Sequence, residues 1–148
     1  MSSRFLLASA CLPIAVAASP WQFTQPRDIS VVHGPGIFHH LGSDGRFGVS
    51  TSDEQVGIVW EDNRDKQPRC YLAVVSPTSG QVLSETKISG EQAAFEPVVQ
   101  GVDNGLFAVA WEEDGGVWLR LTDDQIAGPA LRLDESSAAH VALSWHPM

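Results

Sequence analysis

An internal repeat constrains the fold of this chain more than any other feature. Residues 45–62 align without gaps over residues 96–113, which places Trp60 and Trp111 at equivalent positions 51 residues apart. Each stretch contains a short extended run, a polar turn, an apolar run that ends in Trp-Glu, and an acidic turn. Because repeats of this length fold as one supersecondary unit that stacks on its neighbours, we expect the chain to contain copies of one unit.

The similarity continues beyond the Trp-Glu pairs. Residues 70–74 correspond to residues 117–121, with Trp118 following Tyr71 by 47 residues. A third copy begins near residue 138 and stops at Met148. These matches divide the sequence into a first unit at 45–89, a second unit at 90–134 and a partial third unit at 135–148.

Each complete unit contains four short segments rich in β-branched and aromatic residues, separated by turns rich in Gly, Asp, Asn, Ser and Pro. Within the second segment, alternation places Val56, Ile58 and Trp60 on one face of a strand. A leading strand is also expected at 29–32. The strands predicted in the two units lie near 46–50, 56–61, 70–75 and 82–88, and near 97–102, 106–112, 117–121 and 130–133.

A four-stranded unit of 45–51 residues is typical of a β-propeller blade. The predicted fold is therefore all-β, an incomplete β-propeller of about two four-stranded antiparallel blades plus the start of a third. The alternative is a single β-sandwich with accidental self-similarity. Propellers close with about 4–8 blades, so two blades leave apolar faces uncovered. We expect either a truncated gene product or copies of the chain that self-associate through these exposed blade faces.

The first residues have the composition of a secretory signal peptide. Arg4 supplies a positive charge, an uncharged apolar run follows from Phe5, and small residues precede a cleavage site at Ala18 or Ser19. A lipoprotein signal at Cys11 is the alternative. The apolar run is shorter than the roughly 20 residues that span a bilayer, so no membrane span is expected. The predicted organisation is a signal peptide at 1–18, a lead-in segment at 19–44 and repeat units from 45, in a periplasmic or secreted protein.

Charge and cysteine content exclude several classes of function. Without residues 1–18, the chain has eight basic and 18 acidic residues, a net charge of 8 − 18 = −10. Such a chain repels phosphate backbones, so nucleic-acid binding is not expected. Cys70 is the only cysteine of the predicted mature chain, which leaves no disulfide framework and no zinc-finger spacing. No metal and no other cofactor is predicted.

Several short motifs are similar to those of a known group of proteins. Residues 36–41, the following Gly45-Arg46, and residues 59–64 ahead of Tyr71 resemble exported bacterial β-propellers of the sialidase-like (BNR-repeat) superfamily. The resemblance covers residues 36–145 and implies the N-terminal portion of such a protein. True sialidases carry Ser-x-Asp-x-Gly-x-x-Trp turns, an arginine triad, a tyrosine–glutamate pair and an acid aspartate. None of these is matched here residue by residue.

The segment after the first Trp-Glu pair holds the most distinctive polar residues. Arg64 is a candidate to bind a ligand carboxylate, with Glu61 and Asp62 as acid–base groups. The structural alternative is that Asp62 closes a turn and that Arg64 pairs with a neighbouring acid. The second unit keeps acidic residues at this turn but has no arginine, which favours the structural alternative.

Three further residues are candidates for ligand binding. His39 and His40 are candidates to line a central pocket, and Arg46 stands just ahead of a predicted strand. Adjacent residues of a strand point to opposite faces, so the two histidines do not readily share a metal ion. For Arg46, pairing with one of the many surface acids is the alternative.

These patterns support a binding function more than a reaction. The leading hypothesis is a non-catalytic role in binding a glycan or another exported protein. The alternative is the N-terminal part of an exo-sialidase-like glycoside hydrolase whose catalytic blades lie outside this chain. A third hypothesis is an inert relic of a broken gene. No catalytic residue is assigned, and whether the chain is an enzyme stays open.

Overall fold

The structure is a computed structural model that describes residues 25–41, 47–134 and 137–147. These residues form two antiparallel sheets, named sheet A and sheet B, and they include no helix. The prediction of an all-β fold is therefore confirmed. Within the same ranges, no helix has the length and apolarity that a membrane crossing requires. The predicted signal peptide at 1–18 lies outside the described residues.

Sheet A corresponds to the first predicted unit together with residues ahead of it. Two short strands, β1 and β2, share one edge of β3: β1 pairs with the end of β3 at Glu61 and Asp62, and β2 pairs with its beginning. β4 lies on the other edge of β3, and β5 pairs with β4. The strands of sheet A are β1 (His39–His40), β2 (Val49–Ser52), β3 (Gln55–Asp62), β4 (Arg69–Val75) and β5 (Val82–Lys87).

Sheet B corresponds to the second predicted unit. Its strands pair in sequence order, and β6 takes the place that β1 and β2 share in sheet A. Ala94 and Phe95 pair with the end of β7 in the same way as His39 and His40 pair with the end of β3. The strands of sheet B are β6 (Ala94–Gly101), β7 (Phe107–Glu113), β8 (Gly116–Thr122) and β9 (Leu131–Arg132).

The repeat is visible in individual contacts. Trp60 stands opposite Tyr71 in sheet A, and Trp111 stands opposite Trp118 in sheet B, as the sequence alignment predicts. The segments that follow β5 and β9 also make equivalent contacts. In each sheet, an N–H near the start of the preceding strand, β4 or β8, donates to a side chain in that segment. These bonds join Cys70 to Ser89 Oγ at 3.1 Å and Val117 to Asp134 Oδ1 at 2.7 Å.

The two sheets pack with the same orientation. We call the tryptophan-bearing face of each sheet its front and the opposite face its back. The back of sheet A, which carries Val59, meets the front of sheet B, which carries Trp111. The contact is close at Gly57, where an added Cβ would lie 2.7 Å from the ring of Phe107. The inter-sheet core consists of Val59, Cys70, Leu72, Val74, Ile88, Ala94, Val99, Phe107, Val109 and Trp111.

The structure corrects two expectations about the lead-in and the alignment. Residues 29–32 do not form the predicted leading strand, since the N–H of Val31 donates to the carboxylate of Glu85 and not to a strand. The gapless alignment is also wrong by one residue for β2 and β6: it matches Ser50 with Gly101, whereas the strand pairing makes Ser50 equivalent to Gln100. The reason is that the turn at 103–105 contains one residue more than the turn at 53–54.

Residues 137–147 contain no strand but keep one contact of the repeat. Where sheet B begins, the N–H of Glu96 donates to the carboxylate of Glu61 at 3.1 Å. The N–H of His140 donates in the same way to Glu112 at 2.7 Å. Glu96 and His140 also share the left-handed backbone conformation, with φ of 53° and 61°. Residues 137–147 therefore meet sheet B where β6 meets sheet A.

Candidate functional site

The candidate residues of the first unit lie on the front of sheet A, at the end of β3. Trp60 and Asp62 are both on this face because they are two residues apart on one strand. The indole Nε1 of Trp60 donates to Asp62 Oδ2 at 2.9 Å. Asp62 is completely buried, so its carboxylate depends on internal donors.

Arg64 supplies most of those donors. Its Nε lies 3.0 and 2.9 Å from the two oxygens of Asp62, and its Nη2 lies 2.6 Å from Oδ2. Nη1 donates to the carboxylate of Glu85 on β5, and Nη2 also donates to Ser30 Oγ at 2.8 Å. All three guanidinium nitrogens are therefore engaged inside the protein, and the three side chains form a carboxylate–arginine–carboxylate cluster.

The cluster holds its members in their charged forms. Burial alone raises the pKa of Asp62, but hydrogen bonds from Arg64 and Trp60 outweigh burial and bring the pKa below its ordinary value of 3.8. Burial likewise lowers the pKa of Arg64, and its bonds to Asp62 and Glu85 reverse the direction, so that the net shift is upward. Asp62 is therefore ionised at neutral pH and is a poor proton donor.

Aromatic rings form the floor of the cluster. The guanidinium carbon of Arg64 lies 4.0 Å from the centre of the Tyr71 ring, which in turn stacks on Trp60 with ring centres 6.0 Å apart. The Tyr71 hydroxyl donates to Asp65 at 3.1 Å. Burial raises the pKa of Tyr71, as do the bond to Asp65 and the charges of the neighbouring carboxylates. The raised pKa means that the Tyr71 phenol is neutral at physiological pH and acts as the donor in its bond to Asp65.

His39 and His40 lie on opposite faces of sheet A. His39 Nε2 is 3.0 Å from the carbonyl oxygen of Val32 and 3.7 Å from Asp62 Oδ2, on the front. His40 Nδ1 is 3.2 Å from Glu61 Oε1, on the back. The structure thus brings His39, but not His40, to the cluster. Among the described ranges, no three side chains of the metal-ligating types are grouped closely enough to hold an ion.

A cavity of about 510 Å³ lies between the front of sheet A and residues 27–33, which cross over it. Trp60 and Leu41 contribute apolar walls, and the crossing segment contributes Arg27 and Asp28, neither of which forms an ion pair with another of the described residues. A volume of this size holds a small organic ligand. The lining residues are Arg27, Asp28, Ile29, Ser30, His33, His39, Leu41 and Trp60.

The equivalent carboxylate of sheet B is satisfied differently. Glu113 accepts a hydrogen bond from the indole of Trp111 at 2.8 Å. Its other donors are the backbone N–H groups of Gly90 and Gln92, at 2.8 and 2.9 Å, in the segment that joins the two sheets. In sheet B, backbone N–H groups therefore take the place of the Arg64 guanidinium, and they lie in the segment that connects the two sheets.

Cys70 lies at the back of sheet A inside the inter-sheet core. Its side chain is completely buried, and burial, together with the charges of Glu61 and Glu113, raises the pKa of its thiol well above the ordinary range. A buried thiol of this kind is a small apolar side chain and not a nucleophile.

The residues predicted from the sequence are only partly brought together. Asp62, Arg64 and His39 share the front of sheet A, His40 is on the back, and Arg46 lies outside the described residues. Sequence reasoning missed Ser30 and Glu85, two partners of Arg64 that are 34 and 21 residues away from it. No local pattern marks either residue, because only the pairing of β4 with β5 brings Glu85 to this face.

Comparison of the chain with models of known families, with curated proteins and with solved structures gave no match. The resemblance to sialidase-like propellers therefore stays a prediction that rests on the motifs quoted above.

Proposed function

We propose that this chain is an exported, sialidase-like module of propeller type that binds a glycan without hydrolysing it. The ligand occupies the cavity on the front of sheet A, between Trp60 and residues 27–33. The periplasmic or secreted location rests on the signal peptide predicted at 1–18.

The orientation of the sheets supports the propeller-type architecture. In a β-sandwich two inner faces are turned towards each other. Here the back of sheet A meets the front of sheet B, with Trp60 and Trp111 on equivalent faces. Blades of a propeller stack in this repeated manner around their axis.

The state of the carboxylates carries the non-catalytic part of the proposal. A glycoside hydrolase needs two carboxyl groups on either side of a bound sugar, one of them able to donate a proton. On the front of sheet A, Asp62 and Glu85 are both bound to Arg64, and the pKa of Asp62 is lowered. Neither carboxylate is positioned to exchange a proton with a ligand in the cavity.

The cavity lining supports a sugar as the ligand. A pyranose ring has apolar faces, which match the walls formed by Trp60 and Leu41. Its hydroxyl groups can accept hydrogen bonds from Arg27 and donate hydrogen bonds to Asp28, both of which line the cavity. A concave site of this size fits a mono- or disaccharide better than the surface of a folded partner protein.

The test is a titration of the ¹⁵N-labelled chain with N-acetylneuraminic acid, galactose and N-acetylglucosamine, followed by NMR. At least one sugar is expected to shift the indole signal of Trp60, and Asp28→Ala or His33→Ala is expected to weaken that binding at an unchanged melting temperature. His146→Ala is the matched control, because His146 is an exposed histidine distant in sequence from the cavity. Binding that survives both cavity variants contradicts this site.

Hydrolysis is tested separately with a fluorogenic sialoside and a fluorogenic galactoside. No release of the fluorophore above the uncatalysed rate is expected from the wild-type chain. Release that is abolished by Asp62→Asn or Glu85→Gln contradicts a non-catalytic role and supports the glycoside hydrolase alternative.

A further inference from the structure

A second cavity lies next to the one proposed to hold the ligand. Its volume is about 430 Å³, and its walls come from residues 25–29 and from the turn that joins β4 to β5. Arg27 and Ile29 line both cavities, so the two are neighbours along the segment that crosses the front of sheet A. We call the cavity beside Trp60 the first cavity and the cavity beside the turn the second cavity.

The lining of the second cavity combines apolar surface with hydroxyl groups. Ile29, Val75 and Pro77 supply the apolar surface, and Thr78 and Ser79 supply two hydroxyl groups at exposed positions. The Thr78 hydroxyl forms no hydrogen bond with another of the described residues, so it is available to a ligand. A sugar ring, which has apolar faces and a rim of hydroxyl groups, matches a lining of this kind.

The turn that carries these hydroxyl groups is held by its own hydrogen bonds. The N–H of Gly80 donates to the carbonyl oxygen of Ser76 at 2.8 Å, and the N–H of Ser76 donates to the carbonyl oxygen of Gln81 at 2.9 Å. Ser79 Oγ accepts a hydrogen bond from the N–H of Gln81 at 3.2 Å. Because a preformed surface loses little conformational freedom on binding, more of its contact energy contributes to affinity.

Arg27 lies at the boundary between the two cavities. Its side chain lies against Gly80, where an added Cβ would be 3.4 Å from Cδ and 3.5 Å from Nε of the arginine. Arg27 is exposed, and its guanidinium forms no hydrogen bond or ion pair with another of the described residues. The guanidinium can therefore donate to a ligand that passes from one cavity to the other.

We propose that the two cavities are subsites of one site and that the ligand is an oligosaccharide of about three or four rings. One end of the oligosaccharide occupies the first cavity, its middle crosses Arg27, and its other end contacts Thr78 in the second cavity. Each cavity has the volume of a site for a mono- or disaccharide, so a single ring fills only one of them. This inference rests on the proposed function, because it requires that the first cavity binds a sugar.

The experiment compares ligands of one, two and four rings by isothermal titration calorimetry of the full chain. The probes are oligomers of N-acetylglucosamine, of galactose and of N-acetylneuraminic acid, so that each sugar of the first titration has longer counterparts. For the sugar that binds, four rings are expected to bind about tenfold or more tightly than one ring. In NMR spectra the four-ring ligand is expected to shift the amide signals of Thr78 and Gly80, which a single ring in the first cavity leaves unchanged.

Substitutions separate the two subsites. Thr78→Ala removes one hydrogen bond to the distal ring, so it is expected to weaken binding of the four-ring ligand by about two- to tenfold. Binding of a single ring is expected to be unchanged in this variant, whereas Asp28→Ala is expected to weaken the binding of both ligands. Thr51→Ala is the matched control, because Thr51 is an exposed threonine that lines neither cavity.

The outcomes distinguish this inference from the function on which it rests. Equal affinity for one ring and for four rings overturns the inference and leaves the proposed function intact. A four-ring ligand that binds Thr78→Ala as tightly as the wild type, and that shifts neither the Thr78 nor the Gly80 signal, also overturns it. Absence of binding by every sugar contradicts the proposed function and the inference together.

Discussion

Asp62 at the end of β3 and Glu113 at the end of β7 are equivalent buried carboxylates that receive their hydrogen bonds from different groups. In both, a tryptophan donates its indole N–H to a carboxylate two residues later, at 2.9 Å from Trp60 to Asp62 and at 2.8 Å from Trp111 to Glu113. The remaining donors are a side chain, Arg64, in sheet A and main-chain N–H groups in sheet B. The same local sequence pattern, a tryptophan followed two residues later by an acid, therefore does not determine which further groups donate to the carboxylate.

The difference follows from what precedes each sheet. Sheet B is preceded by sheet A, and the connecting segment places the N–H groups of Gly90 and Gln92 against Glu113. In the described part of the chain, residues 25–38 precede sheet A. Within this segment, the Ser30 hydroxyl and the Val31 N–H donate to the carboxylate of Glu85. A local arginine then completes the site.

Replacing the two tryptophans tests this comparison most strongly. Trp111→Ala is expected to lower the free energy of unfolding by about 3–5 kcal/mol, since Trp111 is completely buried between the sheets. Trp60→Ala is expected to cost clearly less, because Trp60 borders a cavity and lies under a single segment of chain. Both variants lose an indole–carboxylate bond, so urea unfolding of the pair isolates the packing difference. Equal losses would contradict the assigned asymmetry.

Removing Arg64 tests the side-chain solution of sheet A. Arg64→Ala leaves the carboxylates of Asp62 and Glu85 buried without their cation, so it is expected to destabilise the fold by about 3 kcal/mol. The control is Arg132→Ala, whose ion pair with Asp134 is 35 % exposed on the arginine side and is worth at most about 1 kcal/mol. Chemical denaturation compares the two. A loss for Arg64→Ala no larger than for the control would indicate that the cluster is not structural.

The close contact between the sheets gives a third, smaller effect. Gly57→Ala places a methyl group 2.7 Å from the ring of Phe107 and is expected to cost about 2 kcal/mol by overpacking. Ala108→Gly makes the opposite exchange at the equivalent position of sheet B and is expected to cost about 1 kcal/mol or less. Thermal unfolding monitored by near-ultraviolet circular dichroism measures both. An unchanged melting temperature in Gly57→Ala would mean that the sheets are further apart than described.

The pH dependence of stability is the finest test of the Asp62–Arg64 pair. A carboxyl group whose pKa is lower in the folded state stabilises the fold above its unfolded pKa, and this stabilisation is lost as the pH falls through the folded value. The difference in unfolding free energy between wild type and Arg64→Ala is therefore expected to shrink below pH 3.8. Asp62→Asn is expected to remove this dependence. A difference that is constant from pH 7 to pH 2 would contradict the pairing.

Much of the architecture was accessible from the sequence because it depends on local patterns. Alternating apolar residues and turn residues predict strands, and the recurrence of Trp60 as Trp111 predicts two equivalent units. The strand predicted at 29–32 failed for a physical reason. A strand needs a neighbouring edge, and this segment crosses a sheet face where its N–H finds the side chain of Glu85.

By itself, the sequence determined the all-β class, the division into two successive units and the equivalence of their tryptophans, since each depends on spacing along the chain. Only the tertiary structure decided which faces meet, which donors complete Asp62 and Glu113, and which residues line the two cavities. Those features depend on contacts between residues distant in sequence, such as Arg64 with Ser30 and Glu85. Periodicity places a side chain on a face, but it does not say what lies opposite that face.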